Sequence, residues 1–223
     1  DVTSNKLTLD CAKGANPAPT ITVTVTPKDS SAPQYTMQWV KVTHSGSTET
    51  TTTISGATGS TFTVPVNEIG TFNYRLEVTT EKNDVEFTAA SNEFTVTVKE
   101  PYRVVLTPST TSSYVNSYVT YTATVQKFTG TGTDGYTDAA STDYDGITYS
   151  ASSPDGSVGI GSTGSKTVKY PTTYVNLYGV SASSYSSKVT VTATAWKNNT
   201  QIGSGEHKTV TFYPVSTSDV YIA

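Results

Sequence analysis

The 223-residue chain has one cysteine, one methionine and two histidines, and it has no apolar run near the ~20 residues that a membrane-spanning helix needs. Cys11 is alone, so no internal disulfide forms, and it is expected to be a small filler near the first strand. Arg75 and Arg103 are the only arginines, there is no basic run, and the formal charge is −4. That excludes the electrostatic footprint that draws proteins to phosphate backbones, so nucleic acid is not an expected partner. Membrane insertion is not expected either. No charged-then-apolar leader opens the chain, and its start at Asp1 reads as a piece processed or excised from something longer. His44 and His207 are far apart in sequence, and neither sits beside a nucleophile elbow or at a metal-ligand spacing, so the chain is not expected to be an enzyme. No window sustains a 3.6-residue apolar period, which argues against helices.

What is present is β-forming. Ser and Thr make up roughly a third of the residues and there are 15 tyrosines, a bias that suits pleated, half-exposed surface. The clearest strand is Gly70 to Val78, in which Phe72, Tyr74, Leu76 and Val78 point one way and Asn73, Arg75 and Glu77 the other. Phe94 to Val98 repeats that alternation across a polar connection. Further strands are expected at Lys6 to Asp10, with Leu7 and Leu9 inward, and at Ile21 to Thr26. Tyr35 to Val42 places Met37 and Trp39 on one face, and Trp39 is expected as a core anchor between two sheets about 10 Å apart. Glu49 to Ile54 reads as an edge strand, and Thr61 to Val66 as a strand that Pro65 confines to an edge or an end. That makes about seven strands in about 100 residues, the spacing of a sandwich.

These residues carry a resemblance. Gln38 and Trp39, the ISGATGSTFTV run from Ile54 to Val64, EIGTFNY from Glu68 to Tyr74 and SNEFTVTV from Ser91 to Val98 resemble the immunoglobulin-like domains of bacterial surface proteins and tailed-phage virions. Phe72 stands where an antibody-type domain has the tyrosine of its corner, and Tyr74 where it has cysteine, so the resemblance is to the disulfide-free microbial branch. Two settings are implied: a bacterial cell-surface adhesin or stalk, and a decoration protein outside a phage capsid. Fold does not fix function on this scaffold.

Lys99, Glu100 and Pro101 form a short, stiff junction, so residues 1–100 and 101–223 are expected as two consecutive immunoglobulin-like domains, end to end in a semi-rigid rod. In the second, strands are expected at Tyr102 to Pro108, Tyr118 to Lys127, Ile147 to Ser150, Lys166 to Tyr170, Lys188 to Trp196 and His207 to Tyr213. Phe128 to Gly146 reads as a long polar loop. It holds Asp134, Asp138, Asp143 and Asp145, whose carboxylates could supply half the oxygens of a Ca²⁺ site, although the spacing matches no established loop. No other cofactor is expected. Tyr136, Tyr144 and Tyr149 border that loop, and Trp196 ends an outward face beside Asn198 and Asn199, so these four aromatics are candidate ligand contacts. Asn198 also begins an Asn-Asn-Thr sequon.

The expected function is therefore a non-catalytic, surface-displayed module for adhesion or attachment, with a host-surface glycan or protein as partner. A second class is a pilus-like or virion subunit that joins neighbouring copies by adding a strand from Asp1 to Asp10 or Val215 to Ala223. A third is a carbohydrate-binding accessory module of a larger enzyme.

Overall fold

The computed structural model describes residues 2–3, 8–27, 34–82, 84–131, 134–153, 158–159, 164–179 and 186–215, and all regular structure among them is β. The chain divides into two compact units, Asp1–Lys99 and Glu100–Ala223.

The first unit contains β1 (Val2–Thr3), β2 (Thr8–Ala12), β3 (Thr20–Thr22), β4 (Thr24–Val25), β5 (Tyr35–Ser45), β6 (Thr48–Thr53), β7 (Thr61–Thr63), β8 (Gly70–Lys82), β9 (Val85–Ala90) and β10 (Phe94–Lys99). One sheet runs β2-β10-β8-β5-β6, and the smaller pairs β3-β7 and β1-β4 lie apart from it. Within the large sheet β2 lies parallel to β10 and every other neighbour is antiparallel, the arrangement of an immunoglobulin-like sandwich. The core forms because alternate residues of both layers meet: Ile21, Val23, Phe62 and Val64 against Trp39, Tyr74, Leu76, Phe94 and Val96. Trp39 is fully buried, stacks on Phe62 at 5.1 Å and donates its indole N–H to the Gly59 carbonyl at 2.9 Å. Gln38 fastens the same region by donating to the Ile54 carbonyl at 2.8 Å.

Three details differ from the sequence reading. Leu7 lies outside the described residues; Leu9 packs against the core as expected, and β2 runs on past Asp10 to Ala12, so Cys11 on the same face is buried there. The connection after Val78 is itself a hairpin, because β8 continues to Lys82 and β9 returns beside it. Between the pairs Glu77↔Ala90 and Tyr74↔Phe94, three residues on one strand oppose two on the other, a bulge that the buried Ser91 stabilises by accepting the Leu76 N–H at 3.0 Å. Val40 and Val42, on the face of β5 opposite Met37 and Trp39, are buried as well. Arg75 is paired directly opposite Val40, and its guanidinium is tied at 2.9 Å to both Glu49 and Glu77, so an ion-paired side chain covers apolar surface there.

The second unit contains β11 (Tyr102–Pro108), β12 (Ser112–Tyr114), β13 (Tyr118–Phe128), β14 (Tyr136–Asp138), β15 (Gly146–Ser152), β16 (Val158–Gly159), β17 (Ser165–Lys169), β18 (Tyr174–Gly179), β19 (Ser187–Lys197) and β20 (Thr200–Tyr213). One layer is β16-β18-β13-β11 and the other β12-β20-β19-β15-β17, joined where β11 meets β20 at the single pair Arg103↔Ser204. The first strand is thus divided between the layers, again as in an immunoglobulin-like sandwich. Val119, Tyr121, Ala123 and Val125 from one layer pack with Tyr149, Val189, Val191, Ala193 and Phe212 from the other.

Here β12, β14, β16 and β18 were not predicted. Part of the expected polar loop is the hairpin arm β14, which the left-handed Gly130 and Gly135 and an edge-on Phe128–Tyr136 ring pair turn back onto β13. The connection between the strands expected at Lys188 to Trp196 and His207 to Tyr213 is only two residues long. Asn198 and Asn199, with φ of +50° and +61°, close a tight hairpin between Lys197 and Thr200, and β20 begins at once.

Candidate functional site

Three neighbouring strands of the second unit build a groove on their outward face. Lys169 of β17, Gly146 of β15 and Trp196 of β19 lie side by side in register. Glycine between two large side chains leaves a notch, and no other residue fits there, since a Cβ on Gly146 would sit 2.5 Å from the Val168 carbonyl oxygen. One step along the ladder Thr148 pairs with Thr167, their hydroxyls 2.8 Å apart, and Asp145 and Asn199 complete a lining around about 570 Å³. Lys169 and Trp196 stand two strand spacings apart, about 10 Å. The Trp196 side chain is half-buried, and its covered indole N–H has no hydrogen-bond partner among the described residues.

The charges of the groove are unequal in availability. Asp145 accepts the Asn198 backbone N–H at 2.6 Å and the Lys197 ammonium at 3.1 Å, and these two donors, the backbone one foremost, hold its carboxyl below the usual carboxylate range. Lys169 is exposed and makes no ion pair among the described residues. The Asn-Asn-Thr sequon is the tight turn that carries Asn199 into the lining.

Of the eight predicted site residues, the groove brings together Asp145 and Trp196. The other three aspartates each face a different donor. Asp134 takes the Arg103 guanidinium at 2.6 Å, and Asp138 takes the Gln126 amide at 3.1 Å. Asp143 takes Lys127 at 2.8 Å, the Ala140 N–H at 3.0 Å and the Tyr102 hydroxyl at 3.2 Å. No three of the four aspartates gather as a ligand set among the described residues. Tyr136 is held in place: its hydroxyl donates to the Glu100 carbonyl at 2.8 Å and Arg103 lies over its ring at 4.1 Å.

Tyr144 and Tyr149 need correction as ligand contacts, because both belong to the core. Tyr149 follows Ile147 by two residues and so shares its inward face. It occupies on β15 the position that Trp39 has on β5, and its hydroxyl reaches the Thr173 carbonyl at 2.6 Å, just before β18, as the Trp39 indole reaches Gly59 just before β7. The two units thus solve the same inter-layer problem with different aromatics. Burial pushes the Tyr149 phenol well above its ordinary value.

Sequence reading missed one polar trio, His44, Glu49 and Glu93 in the first unit, whose ligand atoms lie within 4.8 Å of one another. His44 and Glu49 are cross-strand partners on the β5–β6 hairpin, and that pairing was the signal available. Glu93 lies 2.9 Å from the His44 ring, while Glu49 is shared with Arg75. The Cys11 thiol is pushed up by burial first and by neighbouring Asp10 second, which keeps it protonated and unreactive.

Topology and core define the class: two consecutive immunoglobulin-like sandwiches, the architecture expected from the sequence. No family model matches the chain and no curated protein matches it. Among solved structures it is similar to the D00-D0 domain of intimin, at 18% identity over 95% of this chain and 99% of that one, with a TM-score of 0.35. It is also similar to the adhesin InvE of Yersinia pseudotuberculosis, at 14% identity over 95% of this chain and 58% of that one, TM-score 0.30. A Dscam structure shares 8% identity over 96% of this chain and 46% of its own, TM-score 0.36.

Proposed function

We propose that the chain is a non-catalytic attachment module, displayed on the outside of a bacterial cell or a phage capsid, that makes its contacts through the Trp196 groove. The observation that carries this reading is the Lys169–Gly146–Trp196 notch: an aromatic wall, an unpaired ammonium and a row of hydroxyls converge in a hollow. Binding sites combine apolar area with a few placed polar groups in this way. Among the described residues the groove is lined by no Cys, His or Ser, and its one carboxylate is engaged by Lys197 and Asn198. That favours recognition over chemistry. A single open groove of this kind gives weak contact, and many copies on one surface convert it to useful avidity.

Joining copies through the N-terminal segment is disfavoured by one observation. Residues 2–3 pair with β4, and β2 pairs with β10 over five registered positions, so these strands are already used within their own unit. Attachment is tested by loading beads with many copies of the chain and measuring their capture on mucin-coated and cell-coated surfaces. Beads carrying Trp196→Ala are expected to be captured at least tenfold less. Equal capture of the two kinds of bead refutes the reading.

A further inference from the structure

We propose that the Trp196 groove binds a single sugar ring bearing a carboxylate, with the carboxylate on Lys169 and the apolar face of the ring against the Trp196 indole. This deepens the attachment reading and rests on it.

Three features select that chemistry. The first is charge. Lys169 is the one lining cation, and it is unpaired among the described residues, whereas the lining anion Asp145 is already matched by Lys197 and by the Asn198 N–H. A ligand therefore meets an available positive charge and a neutralised negative one, which favours an anion. The second is span. About 10 Å separates the strands that carry Lys169 and Trp196, and only Gly146 lies between them, so one ring with its substituent bridges the gap. A bare inorganic anion at Lys169 would leave the indole uncovered. The third is the hydroxyl row. Thr148 and Thr167 hold each other at 2.8 Å yet keep further lone pairs, and the Asn199 side chain offers both donor and acceptor, a match for ring hydroxyls. The indole supplies flat apolar area at low entropic cost.

The chain contains two tryptophans, which gives a direct test. Trp39 is fully buried and hydrogen-bonded in the first unit, and Trp196 lines the groove in the second, so their two indole N–H resonances are an internal control and a reporter. The full chain is titrated with methyl glucuronide, with methyl glucoside, which is the same ring lacking the carboxylate, and with a sulfated galactose. The Trp196 resonance is expected to shift saturably with the glucuronide while Trp39 stays still, and the glucoside is expected to bind about tenfold more weakly. Lys169→Ala should remove the difference between the two sugars, Lys169→Arg should keep it, and added salt should narrow it. Equal affinity for the neutral and acidic rings, or preference for the sulfated one, overturns the proposal and leaves attachment through Trp196 standing. No saturable shift of Trp196 with any sugar also overturns it. If the Trp196→Ala beads are then captured as well as the parent beads, the attachment reading falls too.

Discussion

Tyr121 on β13 and Tyr149 on β15 are both fully buried in the core of the second unit, but their hydroxyls have opposite fates. The Tyr149 hydroxyl donates to the Thr173 carbonyl at 2.6 Å, while the Tyr121 hydroxyl has no partner among the described residues. Burial pushes both phenols up, so both are neutral hydroxyls at any ordinary pH. The same substitution, Tyr to Phe, should therefore have opposite signs at the two sites. An unpaired buried hydroxyl costs about 1–3 kcal/mol, and removing one oxygen leaves a void smaller than a methyl group, so Tyr121→Phe is expected to stabilise the second unit by about 1 kcal/mol. Tyr149→Phe deletes a hydrogen bond worth about 1 kcal/mol net. Its acceptor is not orphaned, since the Thr173 carbonyl also receives the Ala123 N–H at 2.9 Å, which keeps the loss at the lower end. In a domain of this size each change moves the midpoint by about 3–6 °C, upward for Tyr121→Phe and downward for Tyr149→Phe. Calorimetry of the full chain, with the indole signals of Trp39 and Trp196 reporting the first and second units, separates the transitions. A Tyr121→Phe variant whose second unit melts as low as that of Tyr149→Phe would refute the reasoning.

Two further perturbations follow from backbone geometry and charge. Gly203 has φ of +68°, and a Cβ there would run into the Tyr102 carbonyl, so Gly203→Ala is expected to cost the second unit at least about 2 kcal/mol; a midpoint within 1 °C of the parent contradicts the left-handed position. Lys127 first, then the Ala140 N–H and the Tyr102 hydroxyl, hold the Asp143 carboxyl below its ordinary value near 3.8. A depressed carboxyl contributes stability that is complete above that value and is lost as the pH falls through the folded-state value. Asp143→Asn is therefore expected to flatten the acid limb of the second unit's stability below about pH 4, and an unchanged limb in a pH series of melts would rule that contribution out.

The strands with strict two-residue alternation were legible because one buried face imposes its period on the sequence. Leu76, Phe94, Val96, Val119 and Val191 all sit where that period puts them. The short strands were not. β12 and β14 bury almost nothing, and β18, whose Val175 and Leu177 are buried, is too brief to separate from the surrounding tyrosines and asparagines. At the site, Trp196 was legible as an outward aromatic beside Asn198 and Asn199, and Asp145 only as one of four loop aspartates read as oxygens for Ca²⁺. The groove itself was not, because it depends on Lys169, Gly146 and Trp196 falling in register on three strands drawn from distant parts of the chain. Tyr149 misled for the opposite reason: proximity to the acidic loop in sequence said nothing of the inward face it shares with Ile147.

The direction of the outermost strands has a mechanical consequence. In the first unit β2 runs parallel to β10, and in the second β12 runs parallel to β20 over three registered positions. In each of these parallel pairs the start of the earlier strand and the end of the later one lie at opposite poles, so a pull between those two points acts along the strand axes. The ladder is then sheared, and its hydrogen bonds resist together instead of unzipping in turn. Either unit pulled between those two points meets its stiffest arrangement in the direction of the force.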